Sequence, residues 1–450
     1  MATNQCDVVV IGLGPGGEAA AAELARAGLD VVGIDERLVG GECPYYGCIP
    51  SKMVIRAADA LAEGRRVDEL AGSADVRPDW KPVHARVRDE ATADWDDAVA
   101  VKRLEDAGAR FARGHGRLVA PRTVEVDGKT YEASKGVVLN TGTRPAIPPI
   151  VGLADTPLWT NRDILRTDAL PGSLGVIGGG AIGVELAQAV ARFGVQVTVL
   201  ELGPRILAPV EPEAAALVAD VLDREGLQVL TGITISRVSY ADGRFTVAVD
   251  DQELTFDKLL VAAGRTPNLD DLGLENVGLD PTARTIEVDE RMVAADGLWA
   301  IGDIVGHGAF THMSMYQSSI AVANVLGQDD PTADYRAVPH VTFTDPEVGG
   351  VGMTEQQARE AGLNVRVGTT DLASSTRGWI ARAEGLVKLV EDADRGVLVG
   401  ANVVGPGGGE ILAMLTTAVH AEVPTTTLGS MIYAYPTLHR AVSEALKDLS

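Results

Sequence analysis

Apolar runs and glycine-rich breaks alternate in a fixed order over the first 35 residues. "CDVVVIG" is a short, continuous, β-branched run, the pattern of a strand buried on both faces of a parallel sheet. "GLGPGG" interrupts it, "EAAAAELARAG" follows with an alanine-rich helical pattern, and "LDVVGID" returns to a buried strand. The same order recurs in "LGVIGGGAIGVELAQAVARFGVQVTVLE". Between these units, residues 53–112 read as helical, through "MVIRAADALAEGRRV" and "DWDDAVAVKRLEDAGARF". "YEASKGVVLNTGTRPAIPPIVG" reads as a strand, a glycine turn and a proline-rich linker, which sets a domain boundary near residue 150. "FDKLLVAAGRTPN" and "DGLWAIGDIVG" repeat the strand-then-glycine form. From about residue 336 the pattern changes to that of an antiparallel sheet with helices. The predicted fold class is α/β, with two Rossmann-like dinucleotide-binding domains and a C-terminal α+β domain.

The chemistry of the two units lies in their loops. Gly12, Gly14 and Gly17 fit G-x-G-x-x-G between strand and helix, and Asp35 ends the second strand where a ribose-binding acid is expected. Gly178, Gly180, Gly183 and Glu201 repeat the arrangement. Glycines let the backbone approach a pyrophosphate, and the helix N-terminus supplies N–H donors and a positive dipole end. Two such units imply two bound dinucleotides. A second site for the same molecule is one reading; two redox dinucleotides exchanging electrons is the more economical one.

Composition narrows the function further. The 450 residues carry a formal net charge of −24, which leaves no electrostatic footprint for nucleic acid and repels anionic membrane surfaces. No apolar run is long enough to span a bilayer, and "MATNQCDVVVIG" lacks the basic and apolar regions of a signal peptide. Three cysteines do not make a secreted disulfide scaffold, so a cytoplasmic protein in a reducing compartment is expected. Two of the three, Cys43 and Cys48, stand close together in "GGECPYYGCIPSK". In a reducing compartment such a pair is catalytic or metal-binding, and no second pair exists to complete a four-ligand zinc site. Cys6, before an apolar strand, reads as a small buried hydrophobe.

The ordered set "GLGPGG", "GGECPYYGCIPSK", "NTGTRPAIPP", "GGGAIGVELA", "AAGRTPN", "AIGD", "TDPEVGGVGMTE" and "YPTLHRAVSEAL" resembles the flavin-dependent pyridine nucleotide–disulfide oxidoreductases. The resemblance runs nearly end to end. It implies FAD on residues 1–150 and again on 266–335, NAD(P)H on 151–265, and a dimerisation domain over 336–450 that builds a homodimer with shared active sites. Candidate cofactor contacts in these motifs are Gly41, Thr141, Gly142, Gly264 and Asp303, the last on a ribityl hydroxyl. His307 or His312, in "GHGAFTHMSMYQ", is placed to touch the isoalloxazine ring or an acceptor. The resemblance also implies a redox-active Cys43–Cys48 disulfide within one helical turn, with hydride passing from nicotinamide to flavin and then to the disulfide. Cys48 is then the flavin-facing thiol. Cys43 is the interchange thiol, exposed and lowered in pKa, with Pro44, Tyr45 and Tyr46 shaping access. Lys52 matches the lysine beside flavin N5, and Glu185 its partner.

The C-terminal segment departs from the family. Where disulfide reductases carry His-Pro-Thr and a glutamate three residues beyond the threonine, this chain has Tyr435 and Arg440. A tyrosine, with an ordinary pKa near 10, is a poor proton shuttle at neutral pH. His439 is a candidate replacement base, one turn beyond Tyr435 on a helix. The C-terminal cysteine pair of mercuric reductases is missing. The expected activity is therefore that of an NAD(P)H oxidoreductase whose small-molecule electron acceptor is an unusual disulfide or thioether, a quinone or a metal ion. The alternatives are a dihydrolipoamide dehydrogenase of a 2-oxo acid dehydrogenase complex and a slow-turnover NADH or redox sensor. Glu201 accepts from both ribose hydroxyls and repels a 2′-phosphate, which favours NADH, although Arg205 stands four residues on.

Overall fold

Both glycine-rich segments fold as strand, loop, helix, strand. The computed structural model describes residues 3–328 and 330–450. In chain order the elements used below are β1 (Thr3–Ile11), α1 (Pro15–Arg26), β2 (Val31–Asp35), α2 (Glu42–Tyr46), α3 (Cys48–Arg65), β3 (Ser173–Ile177), α4 (Ala181–Arg192), β4 (Gln196–Glu201) and α5 (Thr311–Val325). Two compact units form. One gathers Met1–Ser51, His84–Ala146 and Arg265–Asp334; the other gathers Lys52–Val83, Ile147–Gly264 and Tyr335–Ser450.

In the first unit, β1 and β2 lie parallel in one sheet, with Lys129–Leu139 and Leu298–Ala300 parallel on the other side of β1. Val8, Val9 and Val10 are fully buried, as a strand covered on both faces requires. Pro15 opens α1, where its fixed φ suits the first helical position and its missing N–H costs no bond. Residues 110–113, read from sequence as the end of a helical stretch, form an edge strand parallel to β2 instead. That helix stops at Asp106, before Gly108, and "RFAR" has no long apolar run to announce a strand. A hairpin over 117–126, also unannounced, adds to the sheet through Lys129–Leu139.

In the second unit, β3 and β4 sit in a four-stranded parallel sheet with Gln228–Thr231 and Lys258–Val261. A five-stranded antiparallel sheet fills residues 339–405, covered by helices Gly408–His420 and Ala441–Lys447. Buried charges brace this unit. Arg192, only 4% exposed, donates to Asp59 at 2.7 Å, to Glu225 at 2.6 and 3.0 Å and to Asp345 at 2.8 Å. Arg65 of α3 donates to the Arg192 carbonyl at 2.6 Å, so α3 is fastened to the end of α4 at two points. Lys388, equally buried, donates to Glu211 and Glu213 at 3.0 Å and pairs with Glu355 at 2.9 Å.

Lys388→Met should destabilise the protein by about 3–5 kcal/mol, because it leaves the buried Glu211 carboxylate without its cation; denaturant unfolding measures this. Burial, against the attraction of Arg192, pushes the Asp59 carboxyl up to about 6. A carboxyl raised in the folded state stabilises fully below its unfolded value, and that contribution is lost as pH rises through the folded one. Asp59→Asn should therefore gain on the wild type by about 1 kcal/mol as pH rises from acid to neutral, a figure reduced for the carboxylate's partial exposure. A difference curve flat with pH would show that Asp59 is not raised.

Candidate functional site

The two dinucleotide loops are built alike. Gly12 and Gly178 adopt φ of +88° and +110°, in the left-handed region. A Cβ on Gly17 would meet the Gly12 carbonyl oxygen at 2.0 Å, and one on Gly183 the Gly178 oxygen at 2.0 Å. The first and third glycines are thus needed by the fold itself. The second pair differs: Gly180 has nothing within 4 Å of an added Cβ, and Gly14 only the Asn140 amide at 3.3 Å. That open side, at a helix N-terminus, is the space in which a pyrophosphate fits. Gly41 backs onto the first loop, where a Cβ would meet the Gly14 Cα at 2.8 Å. Thr141 follows Asn140 beside Gly12, and its buried hydroxyl has no hydrogen-bond partner among the described residues, a group left for a ligand. Gly142 and Gly264, both at positive φ, leave their surroundings open.

Asp35 and Glu201 do more than the sequence suggests. Asp35 accepts from the Leu13 N–H and the Arg37 N–H, both at 2.7 Å. Glu201 accepts from the Gly179 and Gly203 N–H groups, both at 2.6 Å. Each carboxylate ties the residue after the first glycine to the end of the second strand. Burial pushes the Asp35 carboxyl up, while the two N–H bonds pull it down. Arg205 spends its guanidinium on the carbonyls of Leu207 and Ala208, at 3.0 and 2.7 Å.

The cysteines do not share one helical turn. Cys43 lies in α2, and Gly47, with φ −131° and ψ −117°, breaks the chain before Cys48 opens α3. The Gly47 carbonyl accepts from Ser51 N at 3.1 Å, which places Cys48 at the first position of an 18-residue helix. Both sulfurs stand as thiols, with Cys48 exposed and Cys43 half-buried. The helix N-terminus therefore serves Cys48, not Cys43. Hydrogen bonding to Cys48, then burial, pushes the Cys43 thiol well above its ordinary range. Contrary to the expectation from sequence, the more exposed thiol of the two is Cys48, not Cys43. Tyr45 is buried and its carbonyl accepts from Trp95 Nε1 at 3.1 Å, so it faces the interior rather than the entrance.

Sequence reasoning missed Thr311. It opens α5, and its hydroxyl lies 3.3 Å from Cys48 Sγ and also lowers the Cys43 thiol. Its separation of 263 residues from Cys48 explains the omission. His312, next in the helix, is exposed and stacks on Phe310 at 5.1 Å. Asp303 accepts from the Thr143 hydroxyl at 2.6 Å, which accepts in turn from Arg265 at 2.6 Å; Arg265 reaches Glu42, beside Cys43, at 3.5 Å. A polar chain thus joins Asp303 to α2. Cys6 is buried, and burial pushes its thiol up to about 11, in keeping with an inert core residue.

In the second unit, Lys52 donates to Glu185 Oε2 at 2.7 Å, and Glu185 Oε1 accepts from Phe343 N at 2.8 Å. Lys52 also stands 4.6 Å from the centre of the Phe343 ring. Tyr435 is 66% exposed and donates to Thr376 Oγ1 at 3.2 Å, with the Arg440 guanidinium 5.5 Å from its ring centre. His439 is not one helical turn beyond it. Pro436 disfavours helix at Tyr435, and His439 sits in a short turn over 438–440 against Tyr433, with ring centres 5.9 Å apart. Among the described residues, no group of three or more His, Cys, Asp or Glu side chains is arranged to hold a metal ion.

Residues 6–323 match the family described as pyridine nucleotide-disulphide oxidoreductase, and residues 338–446 match its dimerisation domain. A dihydrolipoyl dehydrogenase of Thermus scotoductus is 36% identical, covering 98% of this chain and 97% of that protein. The Haloferax volcanii dihydrolipoyl dehydrogenase is 33% identical, covering 98% and 96%. Among solved structures, the Cu(II) complex of RclA, an HOCl-induced flavoprotein disulfide reductase from Escherichia coli, superposes with a TM-score of 0.87 at 28% identity, covering 99% of both chains. LpdA from Mycobacterium tuberculosis superposes equally well, at 26% identity and the same coverage. No helix of the described residues is long and apolar enough to cross a membrane. Twin dinucleotide loops, a contacting cysteine pair and end-to-end similarity lead to one conclusion: the chain belongs to the pyridine nucleotide–disulfide oxidoreductases, FAD-dependent enzymes that use a pyridine nucleotide.

Proposed function

We propose that this enzyme uses NADH to reduce a Cys43–Cys48 disulfide and passes the electrons to a small thiol-reactive acceptor other than lipoamide or glutathione disulfide. The contact between Cys43 and Cys48, with Thr311 against Cys48 and the Lys52–Glu185 pair one turn further along α3, carries this reading. Residues 1–150 and 266–335 hold FAD, through Gly12, Gly14, Gly17, Asp35, Gly41, Thr141, Gly142, Asp303 and His312. Residues 151–265 hold the nicotinamide dinucleotide, through Gly178, Gly180, Gly183, Glu201 and Gly264. Residues 336–450 pair two subunits so that Tyr435 of one serves the cysteines of the other. When bound, the flavin supplies two-electron exchange between nicotinamide and the sulfur pair.

The chain's own groups divide the remaining work. Lys52, paired with Glu185 at 2.7 Å, would favour negative charge on the reduced cofactor. Cys48, at a helix N-terminus and against the Thr311 hydroxyl, favours the thiolate. Cys43, the less exposed thiol, must lose its proton before attacking an acceptor sulfur. Tyr435 is the nearest equivalent in sequence of the family histidine, and it lines a cleft that His439 does not. Its phenol hydroxyl suits a proton donor to a leaving thiolate better than a shuttle. The dihydrolipoyl dehydrogenase relatives favour a second reading, lipoamide as acceptor. Tyr435 and Arg440, in place of histidine and glutamate, weigh against it.

NADH rather than NADPH is supported by Glu201 beside the second loop and by Arg205, whose guanidinium is tied to backbone carbonyls. NADH should have a kcat/KM at least about tenfold above that of NADPH, the equivalent of ~1.4 kcal/mol; parity in steady-state assays would refute the preference. Cys43→Ser should still be reduced by NADH, seen as flavin bleaching, while its reduction of disulfides falls to the uncatalysed rate. Full disulfide turnover by that variant would remove the sulfur pair from the path.

A further inference from the structure

Tyr435 stands at the edge of a cleft of about 600 Å³, a volume suited to a small organic ligand. Its walls come from residues 369–377 and from 435–448. Three carboxylates line it, and each is already engaged. Asp371 accepts from Ala373 N at 2.9 Å, Asp448 from Thr369 N at 2.9 Å, and Glu444 from Lys447 at 2.9 Å. The two arginines in the same walls, Arg377 and Arg440, are paired with no carboxylate among the described residues; Arg440 only faces the Tyr435 ring. Arg440 also occupies the position where the family's glutamate is expected, so the charge beside the proton donor is inverted.

We propose that this cleft recognises an anionic acceptor, a disulfide bearing carboxylates, through Arg377 and Arg440; this rests on the reading of Tyr435 as the group beside the acceptor. A guanidinium without a carboxylate partner presents a planar fork that matches a ligand carboxylate. The hydroxyls of Thr376 and Tyr435 add polar contacts along the same wall. In the reaction, the Cys43 sulfur bonds to one acceptor sulfur, the acceptor S–S bond breaks, the Tyr435 hydroxyl gives its proton to the departing thiolate, and the proton lost by Cys43 returns to Tyr435. Cys48 then attacks Cys43, re-forming their disulfide and releasing the second thiolate. The two electrons come from the reduced pyridine nucleotide.

The test compares NADH-dependent reduction of dithiobis(nitrobenzoate), a dianionic disulfide, with that of dithiodipyridine, an uncharged one. It uses the wild type, Arg440→Gln, Arg440→Lys and the double variant Arg377→Gln/Arg440→Gln. The expected result is a KM advantage of the dianion that falls by about tenfold or more in the glutamine variants. Arg440→Lys should restore most of it, and added salt should erode it in the wild type. A KM ratio that is the same in all four proteins overturns the proposal. If neither disulfide is reduced while NADH still bleaches the flavin, the disulfide function itself fails, and calorimetric titration with unreactive nitrobenzoate decides the cleft. Binding at least about tenfold weaker in the double variant supports an anion site, and equal or undetectable binding in both overturns it.

Discussion

The 2.7 Å ion pair between Lys52 and Glu185 fixes the helix that opens at Cys48. α3 begins at Cys48, carries Lys52 one turn later, and continues to Asp59 and Arg65. A buried carboxylate such as Glu185 is tolerable only with its cation and a second donor, and Lys52 and the Phe343 N–H supply both. Further along, Asp59 and Arg65 each engage Arg192. Rotating α3 by a fraction of a turn would break all three attachments at once.

The charge of the chain is unevenly used. Its formal net charge of −24 is borne by a large excess of carboxylates, yet two of its deeply buried charged centres are cations. Arg192 and Lys388 each gather three carboxylates. In so acidic a protein, a cation inside a cluster of acids relieves repulsion as well as forming bonds. Exposed pairs such as Lys102 with Asp106 add little by comparison.

The framework was legible in the sequence because its signals are local. Continuous β-branched runs gave β1 and β3, and the glycine spacings gave the loops. The contacts that join distant segments were not legible. Thr311 against Cys48, and the chain from Asp303 through Thr143 and Arg265 towards Glu42, depend on tertiary folding that no spacing encodes. The break at Gly47 was missed because "GECPYYGC" reads equally well as one turn or two, and only the backbone angles decide. The edge strand over 110–113 was missed because an edge needs little burial and so leaves a weak pattern.

Glu201 carries a consequence for engineering. Its carboxylate is a natural target for anyone converting such an enzyme to the phosphorylated nucleotide, since removing it removes a negative charge from beside the second loop. The same two oxygens, however, are the clasp that holds Gly179 and Gly203 in place. A single replacement would loosen the loop at the moment it altered selectivity. A working redesign must supply a new acceptor for those two N–H groups before it supplies a cation for the phosphate.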